Sequence, residues 1–170
     1  MRSLALGTHP FGAPAAARNG WYPEMKQVHL VAAIIVIALS GVAGLWGAWC
    51  WWRLRSSKWF WRLLRTSQAL IVVQMAIGGV LVLTGHKPPH LHLIYGVLPI
   101  LVSFIAEQLR VSTAQMILDA RGLESAQAVG DLPEDEQRAV VVSIVRREIG
   151  VMALAALVNF VLLSRAAMTG

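Results

Sequence analysis

Cysteine is all but missing from this chain: Cys50 is the only one among 170 residues. A single thiol excludes an intramolecular disulfide, a thiolate metal cluster and a paired-thiol redox motif, and Cys50 reads as a small buried filler. Charge is scarce as well. Only 14% of residues are charged while 56% are hydrophobic, and the mean hydropathy is +0.60. A water-soluble domain of this length carries less apolar character. Acidic residues are rarer still before position 107, where Glu24 stands alone. No catalytic constellation can be assembled from what remains, which leans against an enzyme. The first twenty residues lack a continuous apolar run, so they do not read as a cleavable signal peptide despite Ala15-Ala16-Ala17. Residues 1–28 are expected to form a flexible extracytoplasmic segment.

What is present is long apolar sequence. Four runs, at about 29–52, 64–84, 91–109 and 149–163, can each serve as a span of hydrocarbon, which takes about 20 helical residues. Lipid offers the backbone no hydrogen-bonding partner, so the runs must be helices. Arg53, Arg55, Lys58, Arg62 and Arg65 lie between the first two runs with no acidic residue among them. The excess of basic residues places that loop in the cytoplasm. Both termini and the turn from His86 to His92 then face outward. Six of the seven tryptophans (Trp46, Trp49, Trp51, Trp52, Trp59 and Trp61) gather at the same inner boundary and read as an interfacial belt.

Eight of the nine acidic residues fall between Glu107 and Glu148, giving that segment a net charge of −3. The segment faces the basic loop and can pair with it. Its second half carries Asp131-Leu132-Pro133-Glu134, which has the spacing of a capping box and announces a new helix. No proline follows Pro133, so the helix is expected to run from the cytoplasm into the fourth span, on the order of 50 Å long. The fold class is therefore all-α: four transmembrane helices in an up-and-down bundle, N-out and C-out. A cytoplasmic helical extension, at about 110–148, joins spans three and four, within a membrane domain of residues 29–170.

Inside the spans, Ser40, Gln74 and Asn159 lie near one depth and suit hydrogen bonds between helices. Gly41, Gly44 and Gly47 recur every third residue, and Gly78-Gly79 sits mid-way along the second span; such residues allow close helix approach, within the chain or from a partner. A transporter would show a mid-membrane ionisable residue or a broken helix, and neither is seen. Pro99 alone could kink the third span.

Three of the five histidines crowd into Gly85-His86-Lys87-Pro88-Pro89-His90-Leu91-His92-Leu93-Ile94-Tyr95-Gly96. His29, at the start of the first span, is level with His92, at the start of the third, because those helices run in the same direction. His92 and Tyr95 share a helix face, whereas His90 and His92 point about 200° apart. A bis-histidine b-type haem takes one imidazole from each of two helices at one depth, and His29 with His92 offers that arrangement. The same residues suit a quinone headgroup contact or a metal, with His86 and His90 as weaker metal ligands. Ordinary interfacial hydrogen bonding is the remaining use.

Gln74, Gly78-Gly79, Gly85 and the run Pro89 to Gly96 together resemble a pattern of uncharacterised bacterial four-helix membrane proteins with a Leu-His-x-x-Tyr-Gly signature. Leu91-His92 and Tyr95-Gly96 are the matching positions, and the resemblance covers only the second and third spans. It implies a fold and no activity. The architecture is also similar to that of small b-type membrane cytochromes.

The function expected from these features is a non-catalytic accessory or assembly subunit of a larger bacterial membrane complex, an energy-transducing one included. Its partners would be the lipid bilayer and other membrane-protein subunits, in the cytoplasmic (inner) membrane. The alternative is an electron-transfer protein with haem b on His29 and His92. A third reading, a small oligomeric transporter, needs a water path through Gln74 and Asn159. Nucleic acid is not an expected partner, since topology accounts for the basic loop.

Overall fold

Apolar runs flanked by turn signals become four long helices. The computed structural model describes residues 22–170. In chain order these are α1 (Tyr22–Trp52), α2 (Lys58–Leu83), α3 (His90–Asp119) and α4 (Glu134–Thr169), with a short 3₁₀ turn at Gln127–Asp131 before α4. All four are long and apolar enough to cross a membrane. The segment expected to be flexible divides here. Residues 1–21 lie outside the described residues, and residues 22–28 are already helical. Glu24 in the first turn complements the helix N-terminus, and Met25, Lys26 and Gln27 are good helix formers, so α1 begins before hydropathy rises.

Each turn has a local cause. Ser57 caps α2 by accepting a hydrogen bond from the Phe60 amide. Gly85, at φ +103°, closes the other end of α2: its amide donates to the Val82 carbonyl and the His86 amide donates to that of Leu81. Gly122, at φ +66°, ends α3 in the same manner. The capping box expected at Asp131 does not form. Asp131 closes the 3₁₀ turn instead, and Pro133 is the N-cap of α4 without a side-chain cap. Glu134, Asp135 and Glu136 supply the negative charge that the helix start favours. The Gln137 amide donates to the carbonyls of Gly130 and Leu132, tying the turn to α4.

Short connections make sequential helices antiparallel neighbours. α4 packs broadly against both α1 and α3, α1 packs against α2, and α2 and α3 touch sparsely. The helices thus stand at the corners of a quadrilateral, with α1 and α3 on one diagonal. The core is thin and has three parts. One, at the arginine end, joins Ala43, Cys50, Phe60, Leu64, Ala106, Ile149 and Met152 with three alanines of α4. A second, towards the histidine end, joins Val36, Ile71 and Leu163. The third, Ile117, Leu118 and Val140, holds the extension of α3 against that of α4, with Leu123, Val129 and Leu132 beside it.

Gly41, Gly44 and Gly47 face inward. A methyl group on Gly44 would stand 2.6 Å from Leu157, and one on Gly47 would stand 2.8 Å from Ala153, both on α4. Gly41 lies against Phe160. Outside, Leu30, Ile34, Leu45, Val72, Phe104 and Val161 are exposed. Only 11% of the most apolar stretch of α3 is buried, so its outer face needs an apolar medium. These dimensions and this surface suggest a membrane protein.

Candidate functional site

At the histidine end, His29 on α1 and His92 on α3 meet across the diagonal. Their ring centroids are 6.2 Å apart and the planes are tilted by 54°. Every helix contributes to this junction. Gln74 of α2 donates through Nε2 to the His29 carbonyl at 2.8 Å, fixing α1 against α2 at this level. Gly78 of α2 makes room for the His29 ring: a Cβ there would lie 3.2 Å from its Cε1. The Ala166 carbonyl of α4 sits 2.9 Å from His92 Nδ1. A carbonyl only accepts, so Nδ1 carries the proton and Nε2 of His92 is left with its lone pair.

The other half of the pair is under-satisfied. His29 Nδ1 is buried and has no hydrogen-bond partner, and the same holds for Gln74 Oε1. A buried polar atom without a partner costs about 1–3 kcal/mol, which a bound group would relieve. Small residues line the surroundings. Gly170 at the end of α4 lies so close to His92 that a Cβ would be 2.6 Å from Nδ1, while a Cβ on Gly96, one turn below His92, would meet nothing within 4 Å.

Tyr95 lies one turn along from His92 and is covered by the Arg165 guanidinium, 5.9 Å from the ring centroid. No carboxylate pairs with Arg165 among the described residues, which include every acidic residue of the chain. His86, after the end of α2, is within electrostatic reach of His29. His90 opens α3 and is exposed. The described residues hold no group of three or more His, Cys, Asp or Glu side chains arranged to bind a metal ion.

The deeper polar residues each bond across helices, but not to one another. Ser40 of α1 shares a 2.7 Å hydrogen bond with Ser67 of α2. Asn159 of α4 donates to Ser103 of α3 at 2.9 Å, and Ser103 in turn donates to the Pro99 carbonyl at 2.8 Å. Pro99 is buried within α3. Gly79 has open space beside it. In a double-mutant cycle on Ser40→Ala and Ser67→Ala, the coupling is expected at ~0.6 kcal/mol with an upper bound of about 1.7 kcal/mol. Detergent unfolding of the four variants measures it, and a coupling of zero would mean that the bond does not form in the membrane protein.

At the opposite end, Glu107 of α3 pairs with Arg65 of α2, accepts from Gln68 at 3.2 Å, and pairs with Arg110 at 3.2 Å. Arg110 reaches Glu148 of α4 at 3.9 Å. This is where the basic loop side and the acidic segment meet. Arg65 and Arg110 also flank Trp61. The partly exposed setting makes each pair a positioning contact of little energy.

Sequence reasoning singled out His29, His92 and Tyr95 but missed Arg165, Ala166, Ser67 and Ser103. Arg165 is the sole basic residue near the C-terminal end of the fourth span, a signal that was there to read. Comparison with protein-family models, curated proteins and solved structures finds no match for this chain.

Proposed function

We propose that His29 and His92 are the axial ligands of one b-type haem and that the protein carries electrons within a membrane. The observation that supports this reading best is the separation of the two rings. Metal–imidazole bonds of about 2 Å, with each nitrogen about 1 Å from its ring centre, put two axial imidazoles roughly 6 Å apart. The observed 6.2 Å agrees. The Ala166 carbonyl adds the second support, since holding Nδ1–H turns the Nε2 lone pair of His92 into the ligand.

The residues present fit the group. His29 Nδ1 is an orphaned buried atom, and Gly78 and Gly96 keep the surroundings of the pair small. Arg165, without a carboxylate partner, would meet the propionates, with Tyr95 beneath it. When bound, haem supplies a one-electron couple whose potential the axial ligands and burial set. The chain's own part is to hold both imidazoles at one level and fix the His92 tautomer.

An accessory role in a larger complex drew on the glycine faces of α1 as one of its grounds, beside the lack of a catalytic constellation, the N-terminal segment and the charged hairpin. Those faces pack against α4 of the same chain, so the histidine pair carries the reading in their place. An absorption spectrum tests it. Protein purified in mild detergent from haem-replete bacteria should show a Soret band that shifts on reduction. A colourless protein would overturn the proposal.

The orientation proposed is N-out and C-out in the bacterial cytoplasmic membrane, on the strength of the Arg53 to Arg65 loop. In a Cys50→Ser background, an impermeant maleimide added to intact cells should label Lys87→Cys and leave Arg55→Cys unlabelled until the cells are opened. The reverse pattern would invert the topology.

A further inference from the structure

Two adjoining cavities open on the arginine end, and they differ in chemistry. One, of about 400 Å³, is lined mainly by apolar residues, among them Trp51, Val151, Leu154 and Leu157, together with Thr113 and Arg147. The other, of about 580 Å³, lies between α3 and α4 and is lined by Met116, Arg121, Ser143, Arg146 and again Arg147. Arg147 is common to both. An apolar slot at membrane depth therefore continues into a cationic basin just beyond the apolar run that begins at Ile149.

The guanidiniums of that basin are not taken up in ion pairs. All nine acidic residues of the chain are described, and the ion pairs found use only Arg65 and Arg110. Arg121, Arg146 and Arg147 make no ion pair. Three guanidiniums around one hollow repel each other unless an anion joins them, and their donor geometry suits phosphate oxygens. Trp51 links the two compartments. Arg146 lies 5.5 Å from the centre of the Trp51 ring, which also walls the apolar slot. Gly150 lets the indole sit against α4, for a Cβ there would stand 2.9 Å from Trp51 Nε1.

We infer that this groove binds an anionic phospholipid, its phosphate headgroup among Arg121, Arg146 and Arg147 and its acyl chain along Trp51, Leu154 and Leu157. From Arg147 to Leu157 the groove extends about 15 Å along α4. A free phosphate would account for the arginines but not for an apolar slot continuous with them. The leaflet is the one at the arginine end, where the tryptophans sit. The inference does not depend on the histidine pair.

The test is reconstitution into nanodiscs of phosphatidylcholine mixed with phosphatidylglycerol, followed by detergent re-extraction and mass spectrometry of the lipid retained. Phosphatidylglycerol is expected to be enriched over its bulk share. Each basic residue near an anionic surface contributes about fivefold, so the double variant R121Q/R147Q should lose about 25-fold of that enrichment. The double variant R53Q/R55Q removes as much charge outside the groove and should keep it. L154W keeps all the charge but fills the apolar arm at an exposed position, and should lose enrichment as well. Undiminished enrichment in R121Q/R147Q or in L154W would overturn the inference. So would an equal loss in R53Q/R55Q, which would signal surface potential alone, or full displacement of the lipid by millimolar inorganic phosphate.

Discussion

His92→Ala should abolish the Soret band of the purified protein. On the proposed reading haem b would be held without covalent attachment to the chain, so His92 and His29 would be its anchoring residues. His92 is also the better prepared of the two, because the Ala166 carbonyl holds its Nδ1–H at 2.9 Å and would leave Nε2 free to bind iron. His29→Ala should have the same effect. His90→Ala is the control: that side chain is exposed and, two residues from His92 on a helix, points about 200° from it, so its spectrum should match the wild type. A subtler variant, Gly78→Val, pushes branched bulk toward the His29 ring, where even a Cβ would stand 3.2 Å from Cε1. Disturbing the environment of a metal ligand commonly costs 10–100-fold in affinity, which a haem titration of the apoprotein reads directly. Identical spectra for His90→Ala and His92→Ala would remove the axial-ligand assignment.

Gly47→Leu should be the most damaging single substitution to the bundle. The added carbon atoms would meet the Phe60 ring and Ala153, whose Cβ would be 2.8 Å away. Both neighbours are buried in the same core cluster. Ala153 has no rotamer by which to yield, so α1 and α4 must move apart. Overpacking of this kind costs about 1–3 kcal/mol and more where the neighbours are rigid. At the upper figure, the thermal midpoint in detergent should fall by about 6–12 °C for a chain of this length. Gly79→Leu, on the same scale, should be close to neutral, since nothing lies within 4 Å of a Cβ there. Equal midpoints for the two variants would mean that α1 does not approach α4 as described.

The number of helices and the level of each histidine were legible because they depend on quantities a sequence carries directly. Apolar run length gives the spans, and the parity of crossings puts His29 and His92 at one end. The rotation of each helix about its axis is a different matter. Lipid-facing and core-facing positions are both apolar here, as exposed Leu154 and buried Met152 on α4 illustrate, so hydropathy gives no phase. That is why Ser40 and Asn159 could be placed inside the spans while Ser67 and Ser103 could not be named as their partners, and why Gln74, expected at their depth, lies instead at the level of His29, about 16 Å along α1 from Ser40. The glycines of α1 raised the same ambiguity between an internal and an external neighbour, which only the packing of Leu157 and Ala153 resolves. The start of α4 failed for a local reason. Pro133 fixes an extended backbone at the N-cap, and the Asp131 side chain, two residues earlier in the 3₁₀ turn, makes no cap hydrogen bond.

α4 contacts both α1 and α3, whereas α2 and α3 touch sparsely. The order of synthesis gives this arrangement a consequence for biogenesis. The first three helices leave the ribosome before the element that binds α1 to α3, so α1 and α2 can pair early while α3 stays loosely attached. Ser103 waits for Asn159, and His92 for the Ala166 carbonyl, until the last helix is inserted. Consolidation is therefore a late, post-translocation event, and the histidine junction closes only when the whole chain is in the membrane.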